Sequence, residues 1–319
     1  MDAQSPNPQT DKYRIMQTFE LHILGCGSAL PTVQHNPSSQ VLNIREKLYM
    51  IDCGEGTQQQ YRKNRLSFSK LNQIFISHLH GDHCFGLIGL ISSLALLGRT
   101  GELTIHAIAD IEKVMQPQLD YFCRDIPFDV KFKVFDPDKS EVIHQDRAVK
   151  VTTIPLNHRV PCAGFLFQEQ ENDRHILPEM IKFYNVQVKD IPLIKKGADF
   201  VTSDGNTIPN ERLTKPADRA RSYAYCSDTA YSEKIVPIIE GVDLLYHEST
   251  FSNSDTKRAI QTGHSTAAQA AQIAKLANAG RLMLGHFSSR YPDNNLLLSE
   301  AQVIFPHTIL ANENLREKL

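Results

Sequence analysis

The run Ser77-His78-Leu79-His80-Gly81-Asp82-His83 constrains this 319-residue chain more than any other stretch. It follows an apolar, strand-like segment, Gln73-Ile74-Phe75-Ile76. In extended backbone alternate side chains share a face, so His78 and His80 can point at one spot. Gly81 then lets the chain turn, and Asp82 and His83 open the helix that follows. Three imidazoles and a carboxylate within six residues suit zinc or manganese better than calcium. A histidine-rich surface loop is the plain alternative, and ligand-type residues later in the chain argue against it.

Those later residues share one setting, an apolar segment with a polar group at its end. His158, Asp228, His247 and His286 all fit it, as His78 does. Strands of one sheet deliver their ends to one edge, so such side chains can converge. A lone histidine after a strand is usually structural; five groups in the same setting are hard to explain by accident.

The rest of the chain supports an α/β protein. Strands are expected at 19–24, 41–44, 47–51, 71–76, 103–107, 130–135, 149–154, 164–167, 222–226, 244–246 and 282–284. Helices are expected at 57–65, at 82–97 closed by Gly98, at 109–121 interrupted by Pro117, and at 265–279 with Gly280 as its C-cap. Strands alternate with helices in two successive sets, which suggests two sheets with helices outside them. Between residues 168 and 220 the pattern loosens into a charged stretch carrying Pro178, Pro192, Pro209 and Pro216.

Composition sets limits on partners. The net charge is −2, so nucleic-acid binding must rest on a local basic patch or on metal ions. Six scattered cysteines, with no CxxC pair, fit a reduced cytoplasmic setting. Cys84, next to His83, reads as a small buried residue rather than a ligand. No segment is long and apolar enough for a membrane helix, and the polar start of the chain has no signal-peptide core.

HLHGDH has the form of the H-x-H-x-D-H signature of the metallo-β-lactamase superfamily. GLIGL after it, with LGCGSALPT and IDCGEGTQ before it, resembles ribonuclease Z more narrowly, from about Leu21 to the C-terminus. The resemblance implies an αββα sandwich: a single metallo-β-lactamase domain over 1–319, an N-terminal extension at 1–17 and an arm-like insertion at 168–220. Lys182, Lys189, Lys195 and Lys196 on that arm would contact phosphate, or form an ordinary solvated face. Relatives often carry a Gly-Pro motif in the arm, where this chain has Asp190-Ile191-Pro192.

The family pattern also implies the site. His78, His80 and His158 would hold a first metal ion; Asp82, His83 and His286 a second; Asp228 would bridge them. The ions would be two Zn²⁺, or Mn²⁺. Asp82 would also orient or deprotonate the attacking water. Glu248 in HEST and His264 in GHST would form the general-acid pair that protonates the leaving oxygen. His247 would support a ligand from behind. Ser288, Ser289 and Arg290 would contact substrate phosphate. Pro31-Thr32-Val33-Gln34-His35-Asn36 matches a loop that meets the tRNA acceptor end, with His35 where relatives have a basic residue.

The implied activity is endonucleolytic removal of the 3′ trailer from precursor tRNA, by a short-form enzyme working as a homodimer. A hydroxide shared by the two metal ions would attack the phosphodiester, leaving a tRNA 3′-hydroxyl and a 5′-phosphorylated trailer. The ligand set alone equally fits a small-molecule phosphodiesterase, lactonase or thioesterase on the same fold. A non-catalytic nucleic-acid binder is disfavoured by the full set of ligand residues.

Overall fold

The structure is a computed structural model and describes residues 17–319. The N-terminal extension expected at 1–17 lies outside the described residues apart from Gln17. The chain divides into two compact units, one of Thr18–Glu169 with Arg221–Leu319, the other including Gln170–Ala220.

The larger unit holds two seven-stranded mixed sheets. The first runs, from edge to edge, Arg316–Lys318, Phe19–Gly25, Ser39–Ile44, Lys47–Ile51, Leu71–Phe75, Leu103–Ala107 and Val130–Val134. Its first four strands pair antiparallel and the remainder parallel. The second runs Thr308–Leu310, Arg281–Gly285, Leu244–Glu248, Ser222–Cys226, Ala163–Glu169, Val149–Pro155 and Val142–Gln145. Here the first four strands are parallel and the others antiparallel.

Alternation along the strands decides what each sheet faces. Leu21, Ile23, Leu42, Ile44 and Phe75 pack with Val151, Phe165, Phe167 and Tyr223 in one buried core between the sheets. Phe75 meets Phe167 edge-on at 5.3 Å and Phe165 at 5.6 Å. Burying each such side chain contributes about 1.5–3 kcal/mol. The opposite face of the first sheet, with Val41, Met50 and Ile74, packs on Tyr61, Leu87, Leu90, Ile91 and Leu94. The alanine-rich helix Ala267–Leu276 covers the second sheet. This is the αββα sandwich the resemblance implied.

Tertiary contacts adjust several expected boundaries. The helix expected at 82–97 is two helices, Gly81–Cys84 and Leu87–Leu96. The Gly86 N–H donates to Cys53 O at 2.8 Å instead of back into its own helix. The break lets two chain segments touch: a Cβ on Gly86 would collide with the Gly54 carbonyl. The helix expected at 109–121 with an interruption at Pro117 runs unbroken through the proline, Ile111–Phe122. The alanine-rich helix begins with a capping box of Thr266 and Gln269, and Asn278 rather than Gly280 takes the left-handed position after it.

The smaller unit has its own small core of Val186, Ile194, Phe200 and Leu213. Three short helices, Pro178–Phe183, Ile191–Lys195 and Asn210–Leu213, surround it. Phe200–Val201 and Thr207–Ile208 form a hairpin. Asn210 ties the unit together, donating to Ile194 O at 2.6 Å and Ala198 O at 2.7 Å. Pro192 sits in the first turn of its helix, where a missing N–H costs nothing. Lys182, Lys189 and Lys196 are exposed, and Lys195 lies 3.7 Å from Asp173.

Candidate metal centre

The sheets deliver ligand-type residues to one edge. The strand Leu71–Phe75 leads into His78 and His80; the short helix Gly81–Cys84 supplies Asp82 and His83. His158 lies in the loop after Val149–Pro155, Asp228 follows Ser222–Cys226, and His286 follows Arg281–Gly285. Asp52, Asp228 and His286 all adopt positive φ, at 54°, 63° and 57°. Such backbone is unfavourable for a residue with a Cβ, and here it turns three polar side chains sharply at strand ends.

Two groups result, and Asp228 joins them. One ligand atom each from His78, His80, His158 and Asp228 lie within 4.8 Å of one another, and so do those of Asp82, His83 and His286. Asp228 Oδ2 lies 3.6 Å from His78 Nε2 and 3.7 Å from His158 Nε2. Its Oδ1 lies 3.2 Å from His83 Nε2 and 3.0 Å from His286 Nε2. One carboxylate oxygen therefore faces each group. Asp82 Oδ2 completes the second group, 3.4 Å from His83 Nε2 and 3.6 Å from His286 Nε2. It also accepts the Ala29 N–H at 2.8 Å.

The imidazoles are aimed from behind. His83 Nδ1 meets Asp52 Oδ2 at 2.7 Å, His158 Nδ1 meets Gly263 O at 2.9 Å, and His286 Nδ1 meets Thr250 Oγ1 at 3.0 Å. His78 Nδ1 contacts Ser77 Oγ at 3.0 Å. Each bond leaves Nε2 turned inward. The Nε2 atoms of His83, His158 and His286 are buried and make no hydrogen bond to any described residue. Buried polar atoms are almost always partnered, so orphaned nitrogens converging on carboxylates mark a place for cations.

Electrostatics point the same way. Burial opposes charge on Asp228 and Asp82, yet the surrounding histidines hold both carboxyls well below the usual range. Burial likewise opposes charge on His286, but Asp228 and Asp82 push it up to about 10. His78 and His158 are held down mainly by burial. The centre thus demands positive charge. The histidine and aspartate clusters fit a pair of divalent metal ions, which would meet that demand while the imidazoles stay neutral.

Beside the centre, Glu248 and His264 form a pair. Glu248 is fully buried and accepts from Thr229 N at 2.7 Å, Thr250 Oγ1 at 2.6 Å and Ser265 N at 3.1 Å. Its Oε1 lies 2.8 Å from His264 Nδ1. Burial works against a charged His264, but the Glu248 carboxylate outweighs it and raises the imidazole above its ordinary value. A ring nitrogen of His264 lies within 4.8 Å of ligand atoms of Asp228 and His286.

Two expectations need correcting or extending. His247, expected to support a ligand from behind, is buried with its Nδ1 on the Glu248 carbonyl at 2.8 Å and its Nε2 bonded to no described residue, so it holds no ligand side chain by a hydrogen bond. Side chains alternate along Leu244–Glu248, so a strand that presents Glu248 to the site turns His247 away. Asp52, one residue past the strand Lys47–Ile51, is a site residue that the sequence reading does not single out. It accepts from Ser77 N, Ser77 Oγ and Tyr225 Oη at 2.8, 2.9 and 2.7 Å besides holding His83. The clue was present: a carboxylate closing an apolar strand, as with Asp228. Ser288 is half-buried and Ser289 and Arg290 are exposed in the turn after His286. His35 contacts Glu313 at 2.9 Å. All six cysteines are buried free thiols, and no helix among the described residues is long and apolar enough to cross a membrane.

Comparison with known proteins agrees with this geometry. The family model described as Anti-Pycsar protein Apyc1 matches residues 19–192. The chain is 57% identical over 300 residues to Ribonuclease Z of Bacteroides thetaiotaomicron, covering 94% of this chain and 95% of that one. It is 56% identical over 300 residues to Ribonuclease Z of Bacteroides fragilis, covering 94% and 99%. Among solved structures it is similar to the short form of human tRNase Z, with TM-score 0.67 and 24% identity over 93% of this chain and 98% of that one. It is equally similar to the metallo-β-lactamase fold protein YhfI from Bacillus subtilis, with TM-score 0.67 and 20% identity over 95% and 100%. The structural likenesses establish the metallo-β-lactamase fold. The sequence identities, extending over nearly the whole of both chains, establish more: the chain belongs to the ribonuclease Z family, and over residues 19–192 to the family that the Apyc1 model describes.

Proposed function

We propose that the chain removes the 3′ trailer of precursor tRNA by hydrolysis at the edge shared by the two sheets. It is a metal-dependent endoribonuclease of the ribonuclease Z type acting at tRNA 3′ ends. The observation that carries the mechanism is Asp228, one oxygen toward each histidine group. His78, His80 and His158 would hold one divalent ion, Asp82, His83 and His286 the other, with Asp228 between. When bound, such a pair activates water as a nucleophile and offsets charge on the phosphoryl oxygens. Zn²⁺ fits the imidazole-rich set best; Mn²⁺ is the alternative.

The chain's own groups supply the rest. Asp82 Oδ2, which contacts His83 Nε2 and the Ala29 amide, would also orient the attacking water. His264, whose protonated form the Glu248 carboxylate favours, gives its proton to the departing 3′-oxygen, so the tRNA leaves with a 3′-hydroxyl and the trailer with a 5′-phosphate. Ser288, Ser289 and Arg290, in the turn after His286, would bind a phosphate beside the scissile one. The insertion at 168–220 would serve as the arm that grips tRNA, with its exposed lysines on phosphate. The enzyme would work as a homodimer in the cytoplasm, one subunit's arm serving the other's site.

Purified protein incubated with a 3′-extended precursor tRNA tests this directly. A specific cut at the acceptor end, abolished by chelator and restored by Zn²⁺ or Mn²⁺, is the expected result. An intact precursor, with rapid turnover of a lactone or thioester, would overturn it.

A further inference from the structure

The helix-covered face of the first sheet carries a second polar cavity, of roughly 460 Å³, lined by none of the ligand residues. It lies where the strands Phe19–Gly25 and Arg316–Lys318 meet the end of the helix Thr57–Lys63. Leu21 and Ile23 face the core between the sheets, so His22 points the other way, into this cavity.

Four cations line it, Lys63, Arg65, Lys70 and Arg316, against one carboxylate, Glu20. Lys70 is already engaged, 2.7 Å from Glu46. Arg316 stands opposite His22 in register and spends one N–H on Asn64 O at 3.0 Å. Lys63 and Arg65 are exposed and hold no carboxylate among the described residues. The helix dipole explains a lysine at the end of a helix. It does not explain Arg65, past the helix in left-handed backbone, or Arg316, which comes from another strand.

His22 adds the independent sign. It is 3% exposed, and neither ring nitrogen makes a hydrogen bond to a described residue. Glu20 Oε2 lies 3.1 Å from Nε2 but outside hydrogen-bonding alignment. Asn43 Oδ1, in the same wall, is also buried and unpartnered. Buried polar atoms left open at the floor of a cationic cavity are what a bound polar ligand would satisfy. Clustered cations in a concave wall raise the local potential for anions.

We propose that this cavity binds a small phosphate-bearing anion, of the size of a nucleoside monophosphate. The volume falls in the range of small-ligand sites. Arg316 and Arg65 supply forked donors for phosphate oxygens and Lys63 a point charge, while His22 Nδ1 and Asn43 Oδ1 at the floor would accept from a hydroxyl or amino group of the ligand. No residue of the metal centre lines the cavity, so the two sites are separate.

Isothermal titration calorimetry of the metal-loaded full chain with AMP tests this. The metal centre can also take a phosphate, so wild type is compared with Lys63→Gln/Arg65→Gln. The expected result is the loss of one AMP site per chain, or a fall in its affinity of roughly tenfold or more, with precursor-tRNA cleavage unchanged. Lys63→Arg keeps the site, and His22→Gln weakens it without altering surface charge. The cleavage assay and melting temperature confirm that each variant is folded. Identical isotherms for wild type and the double variant, or no AMP binding to either, would overturn the proposal. So would a double variant that binds AMP normally but cleaves precursor tRNA poorly, which would give these cations to RNA.

Discussion

At the residue scale, the account rests on side chains whose roles separate by experiment. His264→Ala should lower the cleavage rate by about 10²–10⁴-fold, the usual contribution of a general acid, while metal content stays at the wild-type level. Glu248→Gln should act in the same direction, since it removes the carboxylate charge that raises His264 above its ordinary value. If either variant loses metal as fully as it loses rate, the pair are ligands rather than proton donors. Asp52→Asn tests support from behind the ligands: a drop of about 10–100-fold in metal affinity is expected, measured by competition with a chromogenic chelator. His80, Asp82 and His83 were legible in the sequence because they lie within five residues of His78, and His78, Asp228 and His286 because each follows an apolar strand closely. Asp52 shares that setting, but its value lies in contacts to Ser77, His83 and Tyr225 that only the folded chain brings together. His247 looked equivalent to the others until alternation along its strand turned it away from the site.

At the element scale, the first sheet offers a test of stability against pH. His106 is buried, stacked on Phe75 at 4.6 Å and bonded through Nε2 to Gln73 at 2.9 Å. Burial, with His144 and Lys133 nearby, pushes it down to about 3. The unfolded chain takes up this proton near pH 6.5 and the folded chain refuses it until about pH 3. The unfolded state therefore binds more protons in that window, and stability falls as the pH falls through it. The slope from this one group approaches about 1.4 kcal/mol per pH unit. His106→Gln should flatten the denaturation profile between about pH 4 and 6 by that amount; equal slopes in both proteins would contradict the assignment. Gly86→Ala should lose both stability and metal, because the new Cβ would collide with the backbone carbonyls of Gly54 and Cys53, which cannot give way as a flexible side chain could. Long periodic strands were readable from the sequence. The edge strands Thr308–Leu310 and Arg316–Lys318, three residues each, are too short to show a period. The break between Cys84 and Leu87 was hidden because a hydrogen bond to Cys53, distant in sequence, makes it.

At the scale of the whole molecule, the two units divide the labour in the proposed function. The larger carries the clustered histidines and aspartates that could hold metal, and the smaller has its own core and the exposed Lys182, Lys189 and Lys196. Removing residues 173–216 should abolish cleavage of precursor tRNA and leave hydrolysis of bis(p-nitrophenyl) phosphate largely intact; equal loss of both would mean that the smaller unit is needed for the fold. A net charge of −2 requires that RNA binding come from local features, which the exposed lysines and the metal centre can provide. The central claim is that Asp228 joins two cation sites. Metal content per chain, measured by inductively coupled plasma mass spectrometry on wild type and Asp228→Ala, tests it most directly. The account expects two ions per wild-type chain and a clear loss in the variant; a single ion in the wild type, or two retained in the variant, would contradict it.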